Sequence, residues 1–388
     1  MSNVFPIGSF ASLKTPFYHY DLPLLSQTLS AIHTAIAPHQ NFQVHYAIKA
    51  NANPVILQTI ARSGLGADCV SGGEIEAALY AGFPAEKIVF AGVGKADWEI
   101  ELALRAGIAC FNVESLPELE VINACALAMG RVANVAFRVN PNVDAHTHAK
   151  ITTGLNENKF GIAMEDLLPA IRRAAEMQGV RYVGMHFHIG SQILELDVFD
   201  RLSERINQLQ DELEAAGIHT SSINVGGGLG IDYAEPDAHP IPAFADYFGR
   251  FAHHLRLRAG QQLHFELGRS VVAQCGTLIS RALYVKHGHT KDFLIIDAGF
   301  TELIRPAMYG SSHAIQNLSA AVGSAEAVYD VVGPICESSD VFGKDVTLAE
   351  AHRGDLIALR SAGAYGEVMA STYNCRRLPQ SHFTFADK

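Results

Sequence analysis

The sequence predicts an α/β protein with an added β-domain: a (β/α)8 TIM barrel and a mostly antiparallel β-sandwich or β-barrel-like domain. The first observation is length, since 388 residues exceed what one ordinary hydrophobic core accommodates. The second is that strand-like and helix-like runs alternate eight times over roughly 230 residues. The third is a change of pattern near Val271, after which strand-like runs predominate. We therefore expect a barrel over residues 27–270 and a β-domain built from residues 1–26 and 271–388.

Eight short apolar runs are the predicted barrel strands. The first, residues 42–48, alternates apolar and polar side chains, as a half-buried strand does. Amphipathic stretches with helical spacing lie between the runs, for example residues 166–176 and 197–214. The eight predicted strands are residues 42–48, 67–70, 87–91, 108–113, 133–139, 181–188, 221–225 and 262–266.

The β-domain is predicted from four further strand-like runs with few helical periods between them. A short aromatic run at residues 15–21 is also strand-like, and we expect it to join this domain. The four runs are residues 271–285, 293–297, 328–334 and 356–361.

The composition excludes several functional classes. Acidic residues outnumber basic ones by 40 to 29, which disfavours nucleic-acid or anionic-membrane partners. No uncharged apolar stretch is long enough to span a bilayer, and the first residues show no secretory signal. The six scattered cysteines form no C-x-x-C pair, so we expect a reduced, cytoplasmic protein.

Polar residues and glycines follow the predicted barrel strands. In a (β/α)8 barrel the carboxyl ends of all strands meet at one mouth, which is where active sites lie. We therefore expect one site that combines a lysine, carboxylates, two histidines and a glycine-rich loop. The residues at these strand ends are Lys49, Asp68, Gly92, Asn112, Glu114, Arg138, Asn140, His186, His188, Gly226–Gly228, Glu266 and Arg269.

Lys49 follows the first predicted strand, just before Asn51, Asn53 and Pro54 turn the chain towards a helix. One interpretation is a solvated charge at the end of a strand. The other is an amine in a partly desolvated pocket, with a lowered pKa, that forms a Schiff base with a carbonyl group. This residue by itself leaves both interpretations open.

The glycine run Gly226–Gly228 follows the seventh predicted strand. Glycines let backbone N–H groups approach a phosphate, and barrels often bind phosphate after strands seven and eight. A tight turn is the alternative. The run is not a dinucleotide-binding motif, because Ile231 and Tyr233 stand where its third glycine would fall.

Two histidine pairs could suggest a metal site. His186 and His188 alternate along a strand and so share one side of it. A third ligand does not stand out in the sequence, so we favour a stacking or hydrogen-bonding imidazole and predict no metal. We expect His146 and His148 to be solvated in a polar loop.

Two carboxylates lie beside other reactive groups. Glu266 could simply pair with Arg269, or it could hold a protonated ring nitrogen while the arginine holds an anion. Cys336 precedes Glu337 after a Gly-Pro turn, and this makes it a better candidate proton donor than the other five cysteines. A buried free cysteine is, however, usually a small hydrophobic residue.

Nine short segments, spread along the chain and containing most of the residues discussed above, resemble the alanine-racemase-like family of pyridoxal 5′-phosphate (PLP) enzymes. Within that family they resemble the group IV decarboxylases. The similarity extends over nearly the whole chain. One difference is Leu267, where the family usually has proline between Glu266 and Gly268. The matching segments are residues 46–51 (YAIKAN), 66–74 (GADCVSGGE), 90–95 (FAGVGK), 188–192 (HIGSQ), 224–228 (NVGGG), 297–299 (DAG), 305–310 (RPAMYG), 336–338 (CES) and 363–366 (GAYG).

The resemblance implies a PLP site with specific roles. Lys49 would attach the cofactor, His188 would stack on its ring, and Glu266 would pair with its ring nitrogen. Asp68 would support the lysine side of the site, while Ser191, the glycine run and Tyr365 would bind the phosphate. The implied cofactor-binding set is Lys49, Asp68, His188, Ser191, Gly226, Gly227, Gly228, Glu266, Arg269 and Tyr365.

The resemblance also implies a substrate, namely meso-2,6-diaminopimelate, decarboxylated to L-lysine in the last step of lysine biosynthesis. Cations for the distal carboxylate and Glu337 for the distal ammonium would suit this zwitterionic end. Cys336 would return a proton in the partner subunit's site, so that an obligate homodimer is expected. Another basic amino acid (ornithine, arginine or carboxynorspermidine) is the alternative substrate. The implied substrate-binding set is Arg269, Arg305, Tyr309, Glu337 and Tyr365.

Overall fold

A computed structural model of the chain describes residues 5–143 and 159–385, which form two compact units. The barrel unit consists of Gln27–Ile231 and Pro242–Val271. The β-unit consists of Met1–Ser26, Asp232–Ile241 and Val272–Lys388.

The barrel unit contains eight parallel strands that close into a barrel in chain order, which confirms the predicted (β/α)8 fold. Closure is direct, because the first strand pairs in parallel with both the second and the eighth. Leu267 is buried in the eighth strand, opposite Tyr46. The strands are Phe42–Ala47, Gly66–Cys69, Ile88–Phe90, Cys110–Val113, Ala133–Arg138, Val180–His186, Ser222–Asn224 and Gln262–Leu267.

Helices follow the strands, and local sequence signals determine where they begin and end. Ser71 caps one helix by accepting a hydrogen bond from the Glu74 N–H, and Asn53 caps another before Pro54. The long helices are Leu22–Ile36, Pro54–Ser63, Gly72–Ala81, Asp97–Ala106, Leu116–Ala128, Met164–Ala175, Asp197–Ala215 and Phe244–His254. The short ones are Ile7–Phe10, Ile48–Ala50, Ala85–Lys87, Arg269–Val272, Arg305–Tyr309, Glu367–Met369 and Tyr373–Cys375.

The β-unit is a mostly antiparallel sheet, as the sequence predicts, but it has eight strands. The sequence indicated five of them and missed Ile315–Asn317, Val341–Ala349 and Gln380–Thr384. The aromatic strand Phe17–Asp21 joins it, antiparallel to Gly276–His287 and parallel to Gln380–Thr384. Within this unit, Asp237 also forms an ion pair with the buried Arg360 at 2.7 Å. The other strands are Asp292–Ile296, Ile315–Asn317, Glu326–Val332, Val341–Ala349 and Leu356–Leu359.

Across the described residues, no helix combines the length and the apolar character that crossing a bilayer requires.

Two stacked histidines lie on the first and eighth barrel strands. His45 Nδ1 lies 3.1 Å from the carbonyl oxygen of Lys87, and its Nε2 lies 2.9 Å from Nδ1 of His264. Burial, reinforced by the neighbouring His45, lowers the pKa of His264 to about 3. Burial also lowers the pKa of His45. The folded barrel therefore keeps both rings neutral at pH values where the unfolded chain takes up protons.

We expect His264 to make the barrel sensitive to acid. Its pKa is near 6.5 in the unfolded chain and about 3 when folded, so its stabilising effect is lost as the pH falls from 6.5 towards 3. Between pH 7 and pH 5, the free energy of unfolding should fall by about 2 kcal/mol more in the wild type than in His264→Asn. Urea unfolding at both pH values measures this difference. The exposed His219→Asn serves as control, and equal losses in wild type and His264→Asn would contradict the prediction.

Candidate active site

Lys49 lies in the single turn Ile48–Ala50, directly after the first barrel strand. Its Nζ is 3.4 Å from Oδ2 of Asp68, at the end of the second strand. The lysine side chain is 40% exposed, whereas the Asp68 carboxylate is fully buried. Burial and the nearby Glu266 raise the pKa of Asp68 to about 6, against the opposing effect of Lys49 and His186. Lys49 is thus an accessible amine beside a buried carboxylate.

Glu266 is buried near the end of the eighth strand, where three side chains donate to its carboxylate. Asn112 Nδ2 lies 3.1 Å from Oε1, and Asn224 Nδ2 lies 2.7 Å from the same oxygen. His186 Nε2 lies 2.9 Å from Oε2. Burial alone would raise the pKa of Glu266, but His186 and Lys49 bring it below its usual range. The group is therefore an ionised carboxylate at neutral pH.

His188 differs from His186 in its contacts. Its Nδ1 lies 3.5 Å from the backbone N–H of Gly227. Burial, followed by the charges of Arg138 and Lys49, lowers the pKa of His188 well below its ordinary value. A neutral imidazole next to the glycine run suits stacking against an aromatic ring.

The glycine run needs glycine for reasons of space and conformation. Gly226 and Gly228 have φ angles of +67° and +113°, which side chains rarely tolerate. A Cβ on Gly227 would overlap the carbonyl oxygen of Glu266. Beside this run, the buried Arg269 donates from Nη2 to Ser191 Oγ at 3.1 Å. This contact groups Arg269 with the residues expected to bind phosphate.

In the β-unit, Arg305 begins the short helix Arg305–Tyr309 and is buried. Its guanidinium carbon lies 5.0 Å from the ring centre of Tyr309 and 5.3 Å from that of Tyr365. Contacts at this distance are cation–π interactions and restrict where the cation can point. Three of the five residues expected to bind substrate, Arg305, Tyr309 and Tyr365, therefore form one cluster within the β-unit.

Cys336 and Glu337 lie in an exposed loop of the same unit. Tyr373 donates its hydroxyl hydrogen to Oε1 of Glu337 at 2.7 Å. The backbone N–H of Cys336 donates to Oδ1 of Asn374 at 3.2 Å. The buried Asp340 accepts from a backbone N–H of the same loop at 2.8 Å. The loop thus holds the thiol and the carboxylate in a defined arrangement without burying either.

Several residues make contacts in this site that could not be predicted from the sequence. Asn112 and His186 are recognisable from their positions at strand ends, and Asn224 from the segment 224–228, but nothing local indicates that they bind Glu266. Tyr373 carries no sequence signal, since it is 36 residues away from Glu337. His146 and His148 lie outside the described residues. Within those residues, no group of three His, Cys, Asp or Glu side chains could hold a metal ion.

The polar side chains of the barrel unit fit PLP. Such a cofactor needs an amine for its aldehyde, an anion for its ring nitrogen and N–H or O–H donors for its phosphate. Lys49, Glu266 and the Ser191–Arg269 pair offer these groups. Among the described residues, the buried Oδ1 of Asp68 also has no hydrogen-bond partner, which leaves it available to a bound group beside Lys49.

Comparisons with known proteins identify the cofactor class and the family of the chain. The family profile described as "Pyridoxal-dependent decarboxylase, pyridoxal binding domain" matches residues 24–273 and confirms the expected cofactor class. Diaminopimelate decarboxylase of Bacteroides thetaiotaomicron is 62% identical over 98% of both chains.

Two solved structures extend the comparison to the fold. Diaminopimelate decarboxylase of Helicobacter pylori, complexed with L-lysine, has a TM-score of 0.92 and 40% identity, covering 98% of this chain and 94% of that one. The enzyme from M. jannaschii, in complex with L-lysine, has a TM-score of 0.89 and 38% identity, covering 97% and 89%. On these grounds the chain belongs to the diaminopimelate decarboxylase family of pyridoxal-dependent decarboxylases.

Proposed function

We propose that this protein decarboxylates meso-2,6-diaminopimelate to L-lysine and CO2, the last step of lysine biosynthesis. The observation that carries this is the 62% identity over 98% of both chains to a diaminopimelate decarboxylase. The reaction breaks one Cα–carboxylate bond, and a proton takes the place of the departing CO2. The residues must therefore bind an amino acid at both ends, stabilise an electron pair and deliver one proton.

PLP, when bound, supplies the electron sink that accepts the electron pair left at Cα. Lys49 would hold the aldehyde end of the cofactor through its amine, next to Asp68. Glu266, an ionised and buried carboxylate, keeps a proton at the ring nitrogen. Ser191, which accepts from Arg269, would hold the phosphate together with the glycine run, and the neutral His188 would stack on the ring.

The β-unit supplies groups for the distal end of the substrate. Arg305 is a buried cation close to two tyrosine rings, and it binds the distal carboxylate. Glu337 binds the distal ammonium, and Tyr373 orients its carboxylate. This pairing of a cation with an anion fits a zwitterion, whereas the distal end of ornithine would need only anions.

Tyr373→Phe should weaken substrate binding more than catalysis. The change removes the 2.7 Å hydrogen bond to Glu337 and leaves the ring in place. We expect KM for diaminopimelate to rise about 3- to 10-fold with kcat nearly unchanged. Steady-state kinetics measures both values. Tyr80→Phe, at a tyrosine 83% exposed, is the matched control, and an unchanged KM in Tyr373→Phe would count against this role.

Cys336 donates a proton from Sγ to Cα, and we infer that it does so in the site of a second subunit. Its exposure in the single chain supports this, because an effective proton donor needs a site that excludes water. The protein would then be an obligate homodimer with shared active sites. All six cysteines are free thiols, which agrees with a reducing, cytoplasmic location.

A substrate panel tests the proposed function. Purified protein supplied with PLP should release CO2 from meso-diaminopimelate and form lysine, with little release from ornithine or arginine. A sample without added PLP should lose activity after dialysis and recover it on addition of the cofactor. Release of CO2 from ornithine but not from diaminopimelate would overturn the proposed substrate and favour the alternative decarboxylase.

A further inference from the structure

Three side chains from three different barrel strands hold the carboxylate of Glu266. Asn112 and Asn224 donate to Oε1 at 3.1 and 2.7 Å, and His186 donates to Oε2 at 2.9 Å. All four residues are at least nine-tenths buried. The imidazole proton must lie on Nε2 of His186 for this contact, because the carboxylate can only accept.

The number of donors determines what Glu266 can still bind. An ionised carboxylate has about four acceptor positions, two on each oxygen. The two amides fill both positions on Oε1, and His186 fills one on Oε2. One acceptor position, on Oε2, has no donor among the described residues. It can accept a further N–H.

We propose that His186 is a positioning residue that holds Oε2 of Glu266 for the ring nitrogen of PLP. Asn112 and Asn224 share the other oxygen, so His186 is the described side chain that holds Oε2 directly. This inference rests on the proposed role of Glu266 and adds the residue through which that role is controlled.

The electrostatics of the site support this role. Burial raises the pKa of Glu266, and His186 is the leading group that brings it down. Without the imidazole N–H, a buried carboxylate oxygen loses its donor and takes up a proton more easily. Glu266 would then be a poorer partner for a protonated ring nitrogen, and the cofactor would accept electrons less well.

Two substitutions separate hydrogen bonding from packing. His186→Leu fills similar space without a donor, whereas the amide of His186→Gln can donate from nearly the same position. We expect His186→Leu to lower kcat about 10- to 100-fold, with KM within about threefold of the wild type. His186→Gln should recover at least about a third of the wild-type kcat, since it restores one charge-assisted donor. His219→Leu makes the same substitution at an exposed histidine and serves as the control.

A spectroscopic measurement tests the inference without turnover. The absorbance of bound PLP, titrated with pH in the purified holoenzyme, should shift its midpoint by about one unit or more in His186→Leu but not in His186→Gln. Circular dichroism checks that each variant is folded. If both variants lose the same share of kcat and the midpoint of the PLP titration is unchanged, the inference is overturned in favour of a packing role. Wild-type inactivity on diaminopimelate would overturn the proposed substrate, while the titration would still test His186.

Discussion

Replacing Lys49 with alanine should abolish decarboxylation. The amine is the group proposed to attach PLP, and it lies 3.4 Å from a fully buried carboxylate that no other described side chain contacts by a hydrogen bond. Removing the nucleophile of such a site should lower kcat on the order of 10^3-fold or more. Lysine formation from diaminopimelate measures the loss.

Covalent attachment gives this prediction a second readout. Borohydride treatment of the wild-type holoenzyme should trap PLP on the peptide that contains Lys49, as mass spectrometry can detect. Lys49→Arg keeps the charge and should be as inactive as Lys49→Ala, because a guanidinium does not attach the aldehyde. The exposed Lys344→Ala should behave as the wild type. Cofactor still trapped in Lys49→Ala would contradict the assignment.

Cys336→Ala should lower turnover far more than cofactor binding. A positioned proton donor contributes about 10^2- to 10^4-fold, so kcat should fall within that range while the PLP content stays at the wild-type level. Cys375→Ala is the matched control, since that thiol is also exposed. A Cys336→Ala enzyme with wild-type kcat would place the proton donor elsewhere.

Mixing the two inactive variants tests whether sites are shared between subunits. If Lys49 and Cys336 of different chains form one site, each hybrid dimer of Lys49→Ala and Cys336→Ala chains keeps one intact site. Random exchange should then restore about a quarter of the wild-type activity, because half of the dimers are hybrids with one of two sites intact. Native mass spectrometry confirms that hybrids form. Hybrids without activity would argue against a shared site.

The strands of the barrel were predictable because their signals are local. The run at residues 42–48 alternates apolar and polar side chains, and the structure has the strand Phe42–Ala47 there. The polar residues after each strand were predictable for the same reason, since Lys49 is a strand-end residue in the sequence itself. Parallel strands that close into a barrel then necessarily bring such residues to one mouth.

The partners within that mouth were not predictable in the same way. Asn112 is 154 residues from Glu266 and His186 is 80 residues from it, yet both donate to its carboxylate. The resemblance predicted that Arg269 binds cofactor and substrate, and the structure adds its contact with Ser191. Such pairings depend on strand register and rotamers, which no local pattern encodes.

The sequence by itself determined the fold class, the lysine at the mouth of the barrel and, through ordered motifs, the cofactor class. Periodicity and strand-end chemistry are properties of neighbouring residues, so one chain suffices to recognise them. The tertiary structure decided which partners hold the site residues: three donors on Glu266, Tyr365 beside Arg305, and Tyr373 on Glu337. These contacts join residues far apart in the chain, so the closed barrel and the paired sheet must form before they exist.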